Sequence, residues 1–158
     1  MLLYKQNNQC FVARAGAVIL SDDRILLNRV ESSEQEIWLL PGGRVEFGEA
    51  SRISVLREIS EELGLIAKIE RLLWVVEDFY KDKEVTCHEV FWVYKLAINE
   101  NESIYSVANY KPIHTSSGDV FQWIPLVNIG NVDLVPPFLK KALKNLPDQT
   151  ESKVEMRI

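Results

Sequence analysis

Three glutamates, Glu58, Glu61 and Glu62, stand three and four residues apart in the stretch Arg57-Glu58-Ile59-Ser60-Glu61-Glu62-Leu63-Gly64. On a helix, residues at these spacings are neighbours, with Cβ atoms about 5 to 6 Å apart, so the carboxylates share one face. At an effective dielectric of about 20, two like charges ~6 Å apart repel by roughly 2 to 3 kcal/mol. Water reduces that cost to tenths of a kcal/mol on an exposed helix, and a solvated acidic face is the plain reading. The chemical reading is a site for a hard cation. Magnesium and manganese take carboxylate and carbonyl oxygens in an octahedral shell that water and substrate phosphates complete.

The element that must carry these groups is legible around them. Pro41-Gly42-Gly43 is a turn that a helix cannot cross and Gly64 is a C-terminal stop, which predicts a helix from about Ala50 to Leu63. Ile53, Val55, Leu56, Ile59 and Leu63 recur at helical spacing, and this face is expected to be buried with the glutamates on the other side. From Gly43 to Leu65 the chain reads GRVEFGEASRISVLREISEELGL. It resembles the Nudix box, G-x5-E-x7-R-E-U-x-E-E-x-G-U with U aliphatic, and every fixed position is filled: Gly43, Glu49, Arg57, Glu58, Ile59, Glu61, Glu62, Gly64 and Leu65.

The resemblance implies an α/β Nudix fold, an α/β/α sandwich with a mixed sheet, the box helix on one side and a C-terminal helix on the other. It implies Mg2+ or Mn2+ as cofactor, with Glu61 and Glu62 as core ligands, Glu58 as ligand or general base, and the Gly42 carbonyl joining them. It further implies that Arg57 serves catalysis by pairing with Glu49 and holding the carboxylates in place, with Gly43 as structural support. The reaction implied is hydrolysis of a nucleoside diphosphate linked to another group X, with water attacking one phosphorus.

At 158 residues, 47% apolar and 26% charged, the chain is expected to form one globular domain spanning 1–158, with its core over about 11–146. The net charge of -5 excludes a duplex nucleic-acid partner, which needs clustered Lys and Arg. It also means that a polyphosphate must arrive with divalent cations. Cys10 and Cys87 form no metal-binding spacing and are expected as reduced thiols. The N-terminal apolar run is too short for a signal core or a membrane span. A cytoplasmic protein with no membrane partner is expected; family members are often dimers, so a homodimer is an open expectation.

Along the chain, Phe11 to Leu20 and Arg24 to Val30 read as a hairpin, and so do Ala67 to Glu77 and Val85 to Ile98, with the polar stretch Asp78 to Glu84 between them. Arg29, at the end of the strand that approaches the box, is a candidate phosphate contact, with a solvated strand-end Arg as the alternative. His88 and Glu89 interrupt an apolar strand. His88 is expected to be structural, whereas a carboxylate at Glu89 needs a partner or a metal. Nudix enzymes commonly recruit an acid from outside the box, which makes Glu89 one candidate and Asp119, otherwise a turn residue, the other.

Residues 99–118 read as a long polar loop. Pro136-Pro137 opens an expected helix from Phe138 to Leu146, with Lys140, Lys141 and Lys144 outward. The polar tail, 147–158, is expected to be disordered.

Three functions compete: the hydrolase, a catalytically silent Nudix-fold nucleotide-binding or regulatory module, and a diphosphate isomerase on the same fold. No catalytic position of the box is degraded, which favours the hydrolase over the silent module, and no cysteine is placed for the isomerase's proton chemistry. The extended motifs of coenzyme A and NADH subfamilies are missing. Tyr80 occupies the place where ADP-ribose enzymes often have Pro and is similar to a Tyr of dinucleoside polyphosphate enzymes, which makes it a substrate-binding candidate. Phe79, Tyr80, Tyr105, Tyr110 and Phe121 are candidates to stack a base or to fill the core. The expected partner is a small nucleotide-type diphosphate, either a nucleoside triphosphate or a nucleotide sugar such as ADP-ribose.

Overall fold

The structure, a computed structural model, describes residues 1–31, 36–99, 103–106, 109–110 and 119–158. Eleven strands are present among them: β1 (Leu3–Gln6), β2 (Gln9–Ser21), β3 (Arg24–Glu31), β4 (Glu36–Leu39), β5 (Gly42–Arg44), β6 (Ala67–Asp82), β7 (Val85–Ile98), β8 (Asn109–Tyr110), β9 (Val120–Pro125), β10 (Leu134–Val135) and β11 (Glu151–Arg157). Two α-helices, α1 (Ser51–Leu63) and α2 (Leu139–Ala142), and short 3₁₀ turns at Ser103–Ser106 and Leu126–Asn131 complete them. Of the expected 99–118 loop, most residues, Gly118 among them, and the side chain of Tyr110 lie outside the described residues.

The small and β-branched residues of β2 let it serve as the hub of a mixed sheet ordered β10-β4-β3-β2-β7-β6-β11. Its hairpin with β3 holds only at Leu20–Ile25 and Ser21–Arg24. Away from that turn β2 runs parallel to β7, from Gln9 opposite Thr86 to Ile19 opposite Leu96. On its other edge it takes β5 antiparallel, with Arg14, Ala15 and Gly16 opposite Arg44, Gly43 and Gly42. This three-way junction brings the Gly42-Gly43 turn, Arg14 and Glu89 together.

Side chains alternate across β2, and the two resulting faces build two cores. Ala13, Ala15, Ala17 and Ile19 pack with Val55, Ile59 and Leu63 of α1. Val18 lies on the other face with Trp74, Phe91, Leu139 and Leu143. Helices therefore cover the mixed sheet from both sides, which is the α/β/α sandwich expected from the sequence. The α1 face differs from expectation by one residue: Ile53 is 52% exposed, and Ser54 is buried in its stead. Its hydroxyl donates to the Arg44 carbonyl (3.3 Å), so a small polar residue is what fits there. Helix α2 ends four residues before the expected Leu146.

Two polar segments prove ordered. Strand β6 continues to Asp82, so Asp78 and Tyr80 belong to a strand and the turn shrinks to Lys83-Glu84. The tail, expected to be disordered, forms β11, parallel to β6 with Arg157 opposite Tyr80. The reason is specific: Arg157 clamps the buried carboxylate of Asp78, Nε donating to Oδ1 at 2.9 Å and Nη2 to Oδ2, and its guanidinium lies 4.9 Å over the Tyr80 ring. A buried carboxylate requires such a partner. No helix among the described residues is long and apolar enough to cross a membrane.

Candidate active site

Helix α1 presents its polar face to the β5 turn, and Arg57 organises what lies between. Its Nε and Nη2 donate to the two carboxylate oxygens of Glu49 (2.9 and 3.0 Å), a planar fork on a planar acceptor. Its Nη1 donates to both Glu58 (2.8 Å) and Glu61 (3.1 Å), and Nη2 also reaches the Arg44 carbonyl (3.1 Å). The fork holds the Glu49 carboxyl down at about 2, and the Glu46 N–H adds a further donor at 3.0 Å. Glu49 is therefore an ionised brace at any pH the protein meets.

Glu62 is in the opposite situation. It accepts one bond, from the Gly42 N–H at 3.3 Å, while burial and the neighbouring charges of Glu58 and Asp119 push its carboxyl up to about 7. The glycines of the turn are held for two separate steric reasons. A Cβ on Gly42, whose φ is 137°, would lie 2.2 Å from the Ala15 carbonyl oxygen. A Cβ on Gly43 would run first into the Glu58 carboxylate, at 2.3 Å from Cδ. The Gly43 surface is a seat for that carboxylate.

Glu58 and Glu62 open into a cavity of about 470 Å³ together with Gly42, Gly43, Tyr80 and Glu89. Glu89, on β7, is 3% exposed. Burial raises its carboxyl above the ordinary range, and the Arg14 guanidinium stands 3.8 Å away. Tyr80 is likewise raised by burial and by Glu89. Residues not anticipated from the sequence also line the cavity: Arg14, Arg44 and Lys5 bring cationic groups into the same lining as the acids. Arg14 had a readable signal, since it is the lone charge within the apolar run of β2.

The other candidates lie outside this lining. Glu61 is 61% exposed and turned toward Arg57. Asp119 is felt electrostatically by Glu62. Arg29, on β3, stands 3.7 Å from Glu36. Of the described aromatic candidates only Tyr80 reaches the cavity: Phe121 is core, Tyr105 stacks on Trp123 (centroids 5.6 Å apart), and Phe79 stacks on His88 (4.2 Å).

The donors suit a hard cation. Three carboxylates, Glu49, Glu58 and Glu61, share the single guanidinium of Arg57, and Glu62 lies beyond it on the Gly42 N–H, which leaves an excess of negative oxygen donors with no soft ligand among them. Among the described residues no group of three or more Asp, Glu, His or Cys side chains converges closely enough to hold a metal ion; Arg57 and the Gly42 N–H hold the oxygens instead.

Known proteins carry the same architecture. A family model described as "NUDIX domain" matches residues 11–146. An ADP-ribose pyrophosphatase of Methanocaldococcus jannaschii is 38% identical over 51% of this chain and 47% of its own. An 8-oxo-dGTP diphosphatase of Escherichia coli is 26% identical over 86% of this chain and 84% of its own. The chain thus spans about half the length of the first relative and most of the second. The crystal structure of a mutator MutT protein from Bacillus halodurans superposes with a TM-score of 0.66 at 17% identity, covering 92% of this chain and 90% of the other, a likeness of fold.

Proposed function

The chain belongs to the NUDIX family, and from that premise we propose that it is a divalent-metal-dependent pyrophosphohydrolase of a nucleoside diphosphate linked to a group X, either a nucleoside triphosphate or a nucleotide sugar such as ADP-ribose. The observation that carries this reading is the single cavity lined by Glu58, Glu62 and Glu89 together with Arg14, Arg44 and Lys5. Acids for a cation and cations for phosphate oxygens line one cavity of about 470 Å³, room for a nucleotide-sized ligand. The names of the two relatives both describe cleavage within a nucleotide's phosphate chain.

Glu58, Glu61, Glu62 and the Gly42 carbonyl are the groups we assign to hold Mg2+ or Mn2+. Such an ion, when bound, neutralises charge on phosphoryl oxygens and makes water more acidic. The protein's own groups do the rest. Arg14, Arg44 and Lys5 draw the phosphates in and orient them. Glu58, seated on Gly43, takes the proton of the attacking water as its oxygen bonds to phosphorus and the bridging P–O bond breaks. The products are a monophosphate and phosphorylated X, or pyrophosphate when X lies beyond it. Glu89, raised and buried beside Arg14, is the second acid we place in the site, ahead of Asp119, because it lines the cavity. Arg57 positions Glu58 without touching substrate, and Tyr80 forms the wall on which the nucleotide rests.

Two glycine variants separate fold from chemistry. Gly42→Ala meets backbone and a left-handed φ, so it should destabilise the protein by about 2 kcal/mol or more. Gly43→Ala meets first the end of a side chain, the Glu58 carboxylate, and not backbone; it should cost under about 1 kcal/mol in denaturant unfolding yet lower kcat by about 100-fold. Near-normal turnover in Gly43→Ala would show that the seated position of Glu58 is not the working one.

The reading is tested by phosphate and pyrophosphate release from a panel of nucleoside triphosphates, nucleotide sugars and dinucleoside polyphosphates with Mg2+ or Mn2+, with Glu61→Gln alongside. Turnover abolished by chelator and by the variant supports the hydrolase and identifies its substrate group. Cation binding with no turnover on any member would favour the silent nucleotide-binding module.

A further inference from the structure

Strand β11 ends the sheet. It pairs with β6 along one edge, and among the described residues nothing pairs with the other. An unpaired edge offers a row of backbone donors and acceptors, which proteins normally blunt or cover. This one is not apolar-poor: Val154 is 58% and Met156 64% exposed. They stand on the sheet face that α1 leaves bare beyond its own footprint. There the strand registers align Tyr4, Phe11, His88, Phe79 and Met156 in one row across β1, β2, β7, β6 and β11. Phe11 packs edge-on to His88 (5.3 Å) and His88 stacks on Phe79 (4.2 Å), and the strand register sets Met156 beside Phe79 at the free edge.

The sequence of β11, Glu151-Ser152-Lys153-Val154-Glu155-Met156-Arg157, is self-complementary in one antiparallel register. With Val154 opposite Val154 of a second copy, Lys153 faces Glu155, Glu151 faces Arg157 and Ser152 faces Met156, each twice by symmetry. The neighbouring registers lack this property. Centring on Lys153 opposes Lys to Lys and Glu151 to Glu155, and centring on Glu155 opposes Glu to Glu and Lys153 to Arg157. Shifts of half a step set charged residues against Val154 and Met156. Opposite charges across a strand pair stabilise it, and like charges directly opposite destabilise it. Lys153 already pairs with Glu151 along the strand (2.8 Å), and the two-fold register adds an opposite charge across the axis for each of them.

We propose that two copies of this chain associate edge to edge through β11, antiparallel about a two-fold axis at Val154, joining their sheets into one. The pairing is β-augmentation with the chain itself as its ligand. Val154 and Met156 of both copies then cover one another on the face that carries the aromatic row. Lys153, Glu155, Glu151 and Arg157 form the ion pairs on the opposite face, Arg157 keeping Asp78 on its inner side. A seven-residue strand pair is a small interface, so the dimer exchanges with monomer in the micromolar range.

Sedimentation velocity of the intact protein across that range tests it. The wild type should move from monomer to dimer mass as concentration rises. Lys153→Glu sets two Glu–Glu pairs across the axis and should weaken association about tenfold or more. The swap Lys153→Glu with Glu155→Lys restores opposite charges and should return the dimer toward wild-type affinity. Circular dichroism of each variant distinguishes loss of association from loss of fold. A monomer at every concentration would overturn the proposal, and so would a dimer indifferent to Lys153→Glu or one that the double swap fails to restore.

Discussion

Glu62→Gln should lower turnover by about 10³-fold or more and leave the protein, if anything, more stable. The activity loss follows from removing an assigned cation ligand that lines the cavity. The stability gain follows from the sign of the pKa shift. Burial and the charge of Glu58 raise the folded-state carboxyl from 4.5 to about 7. In metal-free protein the ionised form is therefore a burden that is absent below pH about 4.5, builds between 4.5 and 7, and is complete above 7. A neutral amide of the same shape removes it. On the order of 1 kcal/mol at pH 8 is the expected gain, shrinking toward zero at pH 5, measured by denaturant unfolding with chelator present. Opposite movement of activity and stability is the mark of a functional group held against its own preference. A variant that loses both would place Glu62 in the framework instead.

Arg57→Lys should be nearly as damaging to turnover, by a different route. A lysine carries the charge but not the fork, and cannot span Glu49, Glu58, Glu61 and the Arg44 carbonyl at once. Glu58 is then free to leave its seat on Gly43, and misplacement of about 1 Å is enough for a 100-fold fall in kcat. Glu49 loses the donors that hold its carboxyl at about 2, so its contribution to stability, present above pH about 4.5, falls. The expected loss is about 2 kcal/mol. Because Arg57 touches no substrate in this account, KM should change little, and a variant with normal kcat and raised KM would contradict the positioning role.

The residues that form the site differ in how far they could be read from the chain alone. The box is dense, with fixed residue types at fixed spacing on a single helix, and α1 starts at Ser51 against an expected Ala50 because turn and stop residues are local signals. The one-residue error on its buried face, Ile53 for Ser54, arises because a hydroxyl can be buried when a carbonyl accepts from it, which periodicity does not register. Arg14, Arg44 and Lys5 were missed because their place depends on β2 pairing with β5 and β7 at once, a long-range arrangement.

Strand β11 was missed although Val154 and Met156 alternate with charged residues at the period of a strand. What fixes it is the pairing of Arg157 with Asp78, seventy-nine residues away, a partnership no local pattern reveals. Glu61 stays an assignment from resemblance: it faces Arg57 here, and its ligand role rests on exchanging that partner for an ion.

Calorimetric titration of Mg2+ and Mn2+ into the wild type and Glu62→Gln, in buffers from pH 6 to 8, addresses the cation site without needing a substrate. A proton and a cation compete for Glu62, so wild-type affinity should rise as pH passes about 7, by up to tenfold per unit below that value, with proton release. Glu62→Gln should bind weakly and show a flat profile. Equal affinities in the two proteins, independent of pH, would mean that the carboxylates of α1 do not hold the ion.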